Sequence, residues 1–421
     1  MSSSEVRLPA FTVSSARLRR DLEHVAGYGA TASGGVSRTS FSVADRQVRA
    51  WLVAECEQAG LALRTDGMGN VFIRLDAPGA PVGTPAVWAG SHLDSVPEGG
   101  RFDGALGSLA ALEVARRLAE EQVALRRPVE VVVFADEEGN YHHLLGSTAV
   151  VRDFAPEELA ELRGRDGDRL VDALQAMGWD VGAATRTAVR PEEVHAYVEL
   201  HIEQGSVLES AGATIGVVTA IVGMGGGHRE FRGRQDHAGT TPMALRRDAA
   251  RGAGDLLVHL PEVARSVSEN AVITCGIVHV EPGGANVVPG LVRMSLDFRD
   301  PDRQRLLDLE EATVAAARDA ADRHDLEIAY TRESITDPVP LNPRMQSLVA
   351  TVAAGQGLPT LRLPSGAGHD AQNVAGLAPA GMIFVPSVQG RSHSPAELST
   401  WEDIEAGANV LLGVVHALAT E

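Results

Sequence analysis

The chain predicts an α/β fold: a mainly parallel sheet with a smaller α+β domain inserted into it. Three observations predict it. Helical and strand-like segments alternate through the first half. The strand-like run "PVEVVVF" reads as buried. Near residue 213 the order changes to strand–helix–strand–strand–helix–strand, after which the first alternation resumes. Strands separated by helices form parallel sheets covered on both faces, and a βαββαβ order is the split βαβ arrangement.

The elements follow in order. "SARLRRDLEHVAGYG" sets Leu18, Leu22 and Val25 on one helical face and closes on glycine; "SVADRQVRAWLVAECEQAG" repeats the device with Ser42 as N-cap. "NVFIRL" and "PAVWAGSHLDSV" read as strands, "ALGSLAALEVARRLAEE" as an amphipathic helix, and "PVEVVVFADEEG" as a buried strand ending in acids. The inserted unit reads as strands over 228–232, 272–280, 292–298 and 327–330, with helices over 244–260 and 304–322. The expected domains are therefore 1–212, 213–332 and 333–421, the first and last forming one body. The glycine run "GMGGG" at 223–227 lacks the spacing and the following acid of a dinucleotide loop, so it reads as a hinge into the insertion.

Composition narrows the function classes. Hydrophobic residues make up 44% and charged residues 22%, as in soluble globular proteins. A net charge of −19 argues against nucleic-acid or anionic-membrane partners. No apolar run reaches the roughly 18 residues that span a bilayer, and "MSSSEVRLPAF" has no leader-like core. Cys56 and Cys275 stand far apart without CxxC spacing, which fits a reducing cytoplasm more simply than a disulfide.

The chemistry concentrates at strand ends. In "GSHLDSVPEGGRFDG", His92 and Asp94 are spaced i, i+2 and share a face, so Asp94 can accept a hydrogen bond from the far nitrogen of His92. Asp103 lies at the mouth of the next helix. Glu137 and Glu138 follow the apolar "VEVVVF"; two buried carboxylates there cost several kcal/mol unless cations or donors meet them. His201 ends "VELH" and His393 sits in "GRSHSPAE". Each alone is an ordinary residue. Together, imidazoles and carboxylates suit zinc, cobalt, manganese or nickel better than calcium or magnesium. They are too many for one tetrahedral ion, which points to two ions about 3.5–4 Å apart.

These segments, with "HIEQGSVLE", "DHAGTTPM", "GGANVVPG", "DFRD" and "SGAGHDA", occur in the order found in the dinuclear-metal M20 amidohydrolases. The chain resembles the branch holding N-carbamoyl-L-amino-acid hydrolases, allantoate amidohydrolases and beta-ureidopropionases; "HIEQG" and "HAGTTPM" are specific to that branch. The resemblance implies a metallo-aminopeptidase-like catalytic domain whose inserted domain serves as lid and dimer contact. It implies two divalent ions per subunit, zinc foremost, with manganese, cobalt or nickel as alternatives. His92, Asp103 and His201 would hold one ion, and Asp103, Glu138 and His393 the other, Asp103 bridging. Glu137 would be the general base, taking a proton from the metal-bridging water and passing it to the leaving nitrogen. His237 would donate to the oxyanion, Gln204 would lie against the substrate amide, and Asn286 and Arg299 would hold the substrate carboxylate. For Arg299 the alternative is a salt bridge to Asp297 or Asp300.

The implied activity is hydrolysis of a linear carbon–nitrogen bond in a small ureido or amide substrate bearing a carboxylate. An N-carbamoyl-L-amino acid comes first, with allantoate or another ureido acid as alternative. The competing class is a non-catalytic metal-binding homologue, which would have lost a ligand or the base; this sequence keeps all of them. The expected assembly is a homodimer. Two stretches depart from the branch. "EEGNYHHLLGS" carries Tyr141 and His142 where the branch has Arg-Phe, in a shorter loop, and His142 and His143 read as extra ligands or solvated residues. "SGAGHDAQNVAG" follows His369 and Asp370 with Gln372 and Asn373, and leaves His369 without a role.

Overall fold

The computed structural model describes residues 8–421. Residues 1–7, which open the stretch read as lacking a leader, lie outside the described residues. In chain order the strands are β1 (Ala62–Thr65), β2 (Val71–Leu75), β3 (Ala86–His92), β4 (Val129–Phe134), β5 (Val194–Ile202), β6 (Ile215–Ile221), β7 (Gly223–Arg232) and β8 (Asp236–His237). They continue as β9 (Val272–Thr274), β10 (Val278–Glu281), β11 (Val287–Val288), β12 (Leu291–Asp300), β13 (Glu327–Thr336), β14 (Val339–Pro340), β15 (Thr360–Ser365) and β16 (Ala380–Val385). Among the described residues no helix is long and apolar enough to cross a membrane, and both cysteines are free thiols.

The chain divides into two compact units, one running to Thr219 and resuming at Leu341, the other spanning Ala220–Pro340. Both boundaries fall later than the 213 and 332 read from the sequence. The reason is strand length: most of β6 stays with the larger sheet by pairing with β16, and β13 runs on to Thr336.

The larger unit carries a nine-stranded sheet ordered β1-β2-β4-β3-β5-β16-β6-β14, with β15 on β6. Its central strands β4, β3, β5 and β16 are parallel, while β1, β2, β6 and β14 pair antiparallel at the edges. Every residue of β3 and β4 is buried, as expected for parallel strands between two layers. On one face, helices Ser15–Val25, Ala105–Glu120 and Trp401–Thr420 pack Leu22, Leu106, Leu112, Val414 and Leu418 against Val87, Ala89, Val131 and Val198. Each valine or leucine among them contributes about 1.5–3 kcal/mol by leaving water. On the smaller unit's five-stranded sheet, β10-β12-β7-β13 with β9 on β12, helices Ala249–Val267 and Arg303–Arg323 cover a core around Phe231, Leu256, Leu296 and Ala317.

The glycine run read as a hinge is a strand. Gly223–Gly227 are paired to β12 along one edge, with Gly225 opposite Phe298. A Cβ on Gly225 would lie 2.3 Å from the Phe298 ring. The small residues there make room for an aromatic side chain.

Candidate metal centre and active site

Because β3, β4 and β5 are parallel, their C-terminal ends lie side by side, with His92 opposite Phe134. Ligands in open parallel sheets collect at such ends. His92 ends β3, His201 is the last residue but one of β5, Glu137 and Glu138 follow β4 after Ala135 and Asp136, and all but the half-buried Glu138 are buried. Asp103 is presented by a tight turn before helix Ala105–Glu120. The Ala105 N–H bonds to the Asp103 carbonyl at 2.6 Å around Gly104 at φ 62°, ψ −46°, a positive-φ γ-turn.

The polar atoms converge on Asp103. One of its oxygens lies 3.1 Å from His201 Nε2 and 3.7 Å from His92 Nε2. The other lies 3.1 Å from His393 Nε2, which is itself 3.6 Å from Glu138 Oε1. The donor sets His92–Asp103–His201 and Asp103–Glu138–His393 each gather their ligating atoms within 4.8 Å. Glu137 Oε2 sits 3.5 Å from His92 Nε2.

The ring hydrogen bonds suit a cation here. His92 Nδ1 donates to the Asp94 carbonyl at 3.0 Å and His201 Nδ1 to the Ile202 carbonyl at 2.8 Å, so both rings turn an Nε2 lone pair toward Asp103. A lone pair 3.1 Å from a carboxylate oxygen repels it unless a cation lies between. Glu138 Oε1 is buried without a hydrogen-bond partner. Without ions, protons answer that demand. Burial opposes charge on His201, yet the Asp103 carboxylate holds its pKa up to about 9. The Asp103 hydrogen bond likewise raises His393 to about 9. His92 falls to about 4 because burial dominates. Burial, with Asp103 close by, lifts Glu138 to about 8; burial and the Glu138 charge drive Glu137 well above the usual carboxylate range. The donors present fit divalent cations of the zinc, manganese, cobalt and nickel class.

One expected contact differs. His92 bonds to the backbone carbonyl of Asp94, and the Asp94 carboxylate stands 3.7 Å off. That carboxylate instead accepts the N–H groups of Glu137 and Glu138 at 3.3 and 3.1 Å. An i, i+2 spacing puts two residues on one face, but the turn after β3 lets the nearer carbonyl take the proton. Gln204, at φ 59°, donates its amide to Asp103 at 2.9 Å and Ser392 at 3.2 Å. His393 and Asp136 also hold positive φ, so backbone strain of about 1–3 kcal/mol each gathers here.

The remaining candidates lie on the smaller unit. Exposed His237, on β8, accepts the N–H groups of Gly239 and Thr240 at Nδ1, 3.0 and 3.2 Å. Its proton is therefore on Nε2, ready to be donated. The carbonyl of exposed Asn286 accepts the Ala238 N–H at 2.9 Å. Arg299 on β12 makes the alternative contact, its Nε 2.9 Å from Asp297.

Sequence reasoning passed over several supports. Glu199, fully buried, accepts Ser91 Oγ, Tyr197 Oη and the Ala371 N–H. His369 stacks edge-on 4.5 Å from His201 and bonds to Ser365; Glu199, His201 and His369 form a third close set, sharing His201 with the first. Glu397 accepts the N–H groups of Phe102 and Asp103 and the Ser392 hydroxyl. The signal for Glu199 was available: an acid two residues before His201, on the same face of an apolar strand.

The model of Peptidase family M20/M25/M40 matches residues 88–417. The chain is 39% identical over 405 residues to the N-carbamoyl-L-amino acid amidohydrolase of Geobacillus stearothermophilus, covering 96% of this chain and 98% of that one. It is 34% identical over 404 residues to the allantoate amidohydrolase of Escherichia coli, with 96% and 97% covered. Among solved structures, an amidase of the hydantoinase/carbamoylase family from Burkholderia multivorans superposes with a TM-score of 0.91 at 37% identity, covering 98% of this chain and 100% of that one. With its candidate ligand residues at the ends of a parallel sheet core, the chain belongs to the M20/M25/M40 peptidase family, among relatives that hydrolyse non-peptide carbon–nitrogen bonds.

Proposed function

We propose that the protein is a metal-dependent amidohydrolase that removes the carbamoyl group from N-carbamoyl-L-amino acids, releasing amino acid, ammonia and carbon dioxide. The observation that carries this reading is the convergence of His92, Asp103, Glu138, His201 and His393 beside a buried, otherwise unassigned carboxylate, Glu137. Two ions per subunit, zinc foremost, would be held by the two donor sets that share Asp103; when bound they supply the charge that polarises the carbonyl and acidifies water.

Glu137 takes the proton of the attacking water and delivers it to the leaving nitrogen. Without cations, burial and neighbouring acids favour its protonated form; cations held beside it would favour the carboxylate that can accept the proton. Gln204 orients the substrate amide. His237 donates Nε2–H to the oxyanion, a role its tautomer supports. Arg299 and Asn286 hold the substrate carboxylate, with Asp297 orienting the guanidinium.

The assembly is a homodimer formed through the smaller unit. The edge strand β10 is exposed along its length, Val278 and Val280 standing 45% and 41% accessible, and Val258 on helix Ala249–Val267 is 72% accessible. An apolar strand edge of this kind invites pairing with a copy of itself. The free thiols Cys56 and Cys275 fit a reducing cytoplasm.

The second reading is allantoate, or another ureido acid, as substrate, because an allantoate amidohydrolase matches over the same length. Ammonia release from a panel of N-carbamoyl amino acids and allantoate, with and without chelator, separates the readings. Protein that binds two ions yet turns over no ureido or acyl substrate would be a binding homologue, and the proposal would fall.

A further inference from the structure

Arg38 is a buried cation, 2% exposed, whose guanidinium bonds to main-chain carbonyls. Its Nε donates to Leu93 at 2.6 Å, and its Nη1 to Val25 and Tyr28 at 2.9 and 2.8 Å. A buried guanidinium costs several kcal/mol unless acceptors meet it. Two of these acceptors lie at or just past the C-terminal end of helix Ser15–Val25, where a cation is favoured. Burial lowers the Arg38 pKa to about 10, which leaves it charged at neutral pH.

The main chain of Arg38 makes a second grip. Its N–H donates to Ser95 Oγ at 2.9 Å, and its carbonyl accepts the Ser95 N–H at 3.0 Å. Val36, two residues earlier, exchanges N–H···O bonds with Gly99 at 2.9 and 2.8 Å. Arg38 thus holds the residues on both sides of Asp94, Leu93 by its side chain and Ser95 by its main chain. Asp94 in turn faces two ways. Its carbonyl takes the His92 Nδ1 proton at 3.0 Å, and its carboxylate takes the N–H groups of Glu137 and Glu138 at 3.3 and 3.1 Å.

We propose that Arg38 is a positioning residue for the metal centre: by fixing Leu93 and Ser95 it orients Asp94, and through Asp94 it sets the direction of His92 Nε2 and the place of Glu137. This rests on the metal-dependent amidohydrolase reading above. The requirement is for arginine. Its Nε and Nη1 lie in one rigid plane and reach carbonyls of two separate segments at once, which an ammonium on a flexible stem cannot do.

The test compares wild type with Arg38→Met, which loses the donors, and Arg38→Lys, which keeps the charge. Each protein is loaded with cobalt, whose visible absorption reports ligand geometry, and titrated with zinc against a chelator. Both variants should show an altered cobalt spectrum and bind zinc about 10- to 100-fold more weakly. At saturating zinc, kcat on an N-carbamoyl amino acid should fall at least about tenfold while KM changes less than about twofold. A side chain that only ties helix Ser15–Val25 to the sheet would lower the melting temperature of the chelated protein and leave spectrum, zinc affinity and kcat at wild-type values; that result would overturn the proposal. A wild-type spectrum and kcat in Arg38→Lys would overturn it too, because charge alone would then suffice. Should Arg38→Met fail to fold, Arg38→Lys decides. If the wild type binds metal but turns over no ureido substrate, the reading of the activity fails, and the spectrum and zinc affinity still decide the role of Arg38. A wild type that binds neither cobalt nor zinc would overturn both.

Discussion

Gly104→Ala should empty the His92 side of the metal centre while leaving most of the fold in place. A Cβ at Gly104 would stand 2.3–2.4 Å from Cε1, Nδ1 and Nε2 of His92, whereas ordinary contact begins at 3.4 Å. The ring would have to retreat by about 1 Å, but metal–ligand distances tolerate only about 0.2 Å. The backbone adds to the problem: φ 62°, ψ −46° costs a residue with a Cβ about 1–3 kcal/mol. That strain alone lowers the melting temperature by only a few degrees. The ligand displacement should weaken metal binding by at least about 10- to 100-fold. Chelator titration monitored by bound metal, alongside thermal denaturation of chelated protein, separates the two effects. Retention of both ions at wild-type affinity would refute the argument that Gly104 exists to admit the His92 ring.

Four further outcomes follow from the same geometry. Glu137→Gln should lower turnover about 10²- to 10⁴-fold with metal content unchanged, as measured by elemental analysis; loss of metal as well would mean that Glu137 is a ligand. Chelation should abolish ammonia release and lower the melting temperature, and adding back zinc, manganese or cobalt should restore both; full activity after complete metal removal would refute the metal reading. Arg299→Lys should raise KM for carboxylate-bearing substrates about tenfold with kcat less affected, because an ammonium cannot make the forked contact; unchanged KM would remove Arg299 from the substrate site. Burial pushes the Cys56 thiol up to about 12 and raises Cys275 as well. A higher pKa leaves less thiolate, so at pH 8 the native protein should react slowly at Cys275 and not at Cys56 until denaturant is added; rapid reaction of two thiols would contradict the packing around Cys56.

The parallel sheet core was legible because β3 and β4 are apolar on both faces and bounded by helices of clear periodicity. Its antiparallel edges were not, since pairing direction leaves no mark on short runs such as "VFIRL". The residues that converge at the strand ends could be read because acids and histidines at the ends of buried strands are expensive there and stand out. What the sequence concealed was finer. Spacing put Asp94 near His92 but did not reveal that a carbonyl would take the proton, freeing the carboxylate to hold the Glu137–Glu138 turn. Composition made "GMGGG" look like a hinge because the partner that needs the space, Phe298, lies far along the chain.

Asp103 is held from the far end of the polypeptide: Glu397 grips its N–H, and His393 faces its second oxygen. A chain emerging from the ribosome would thus display His92, Asp103, Glu138 and His201 long before the last donor exists. On the proposed reading, the donor set Asp103–Glu138–His393 is complete only once the final segment has been made and docked. Truncation just short of His393 would remove that donor together with helix Trp401–Thr420, whose Leu411, Val414 and Leu418 belong to the sheet's core, so loss of the donor and loss of the fold should come together.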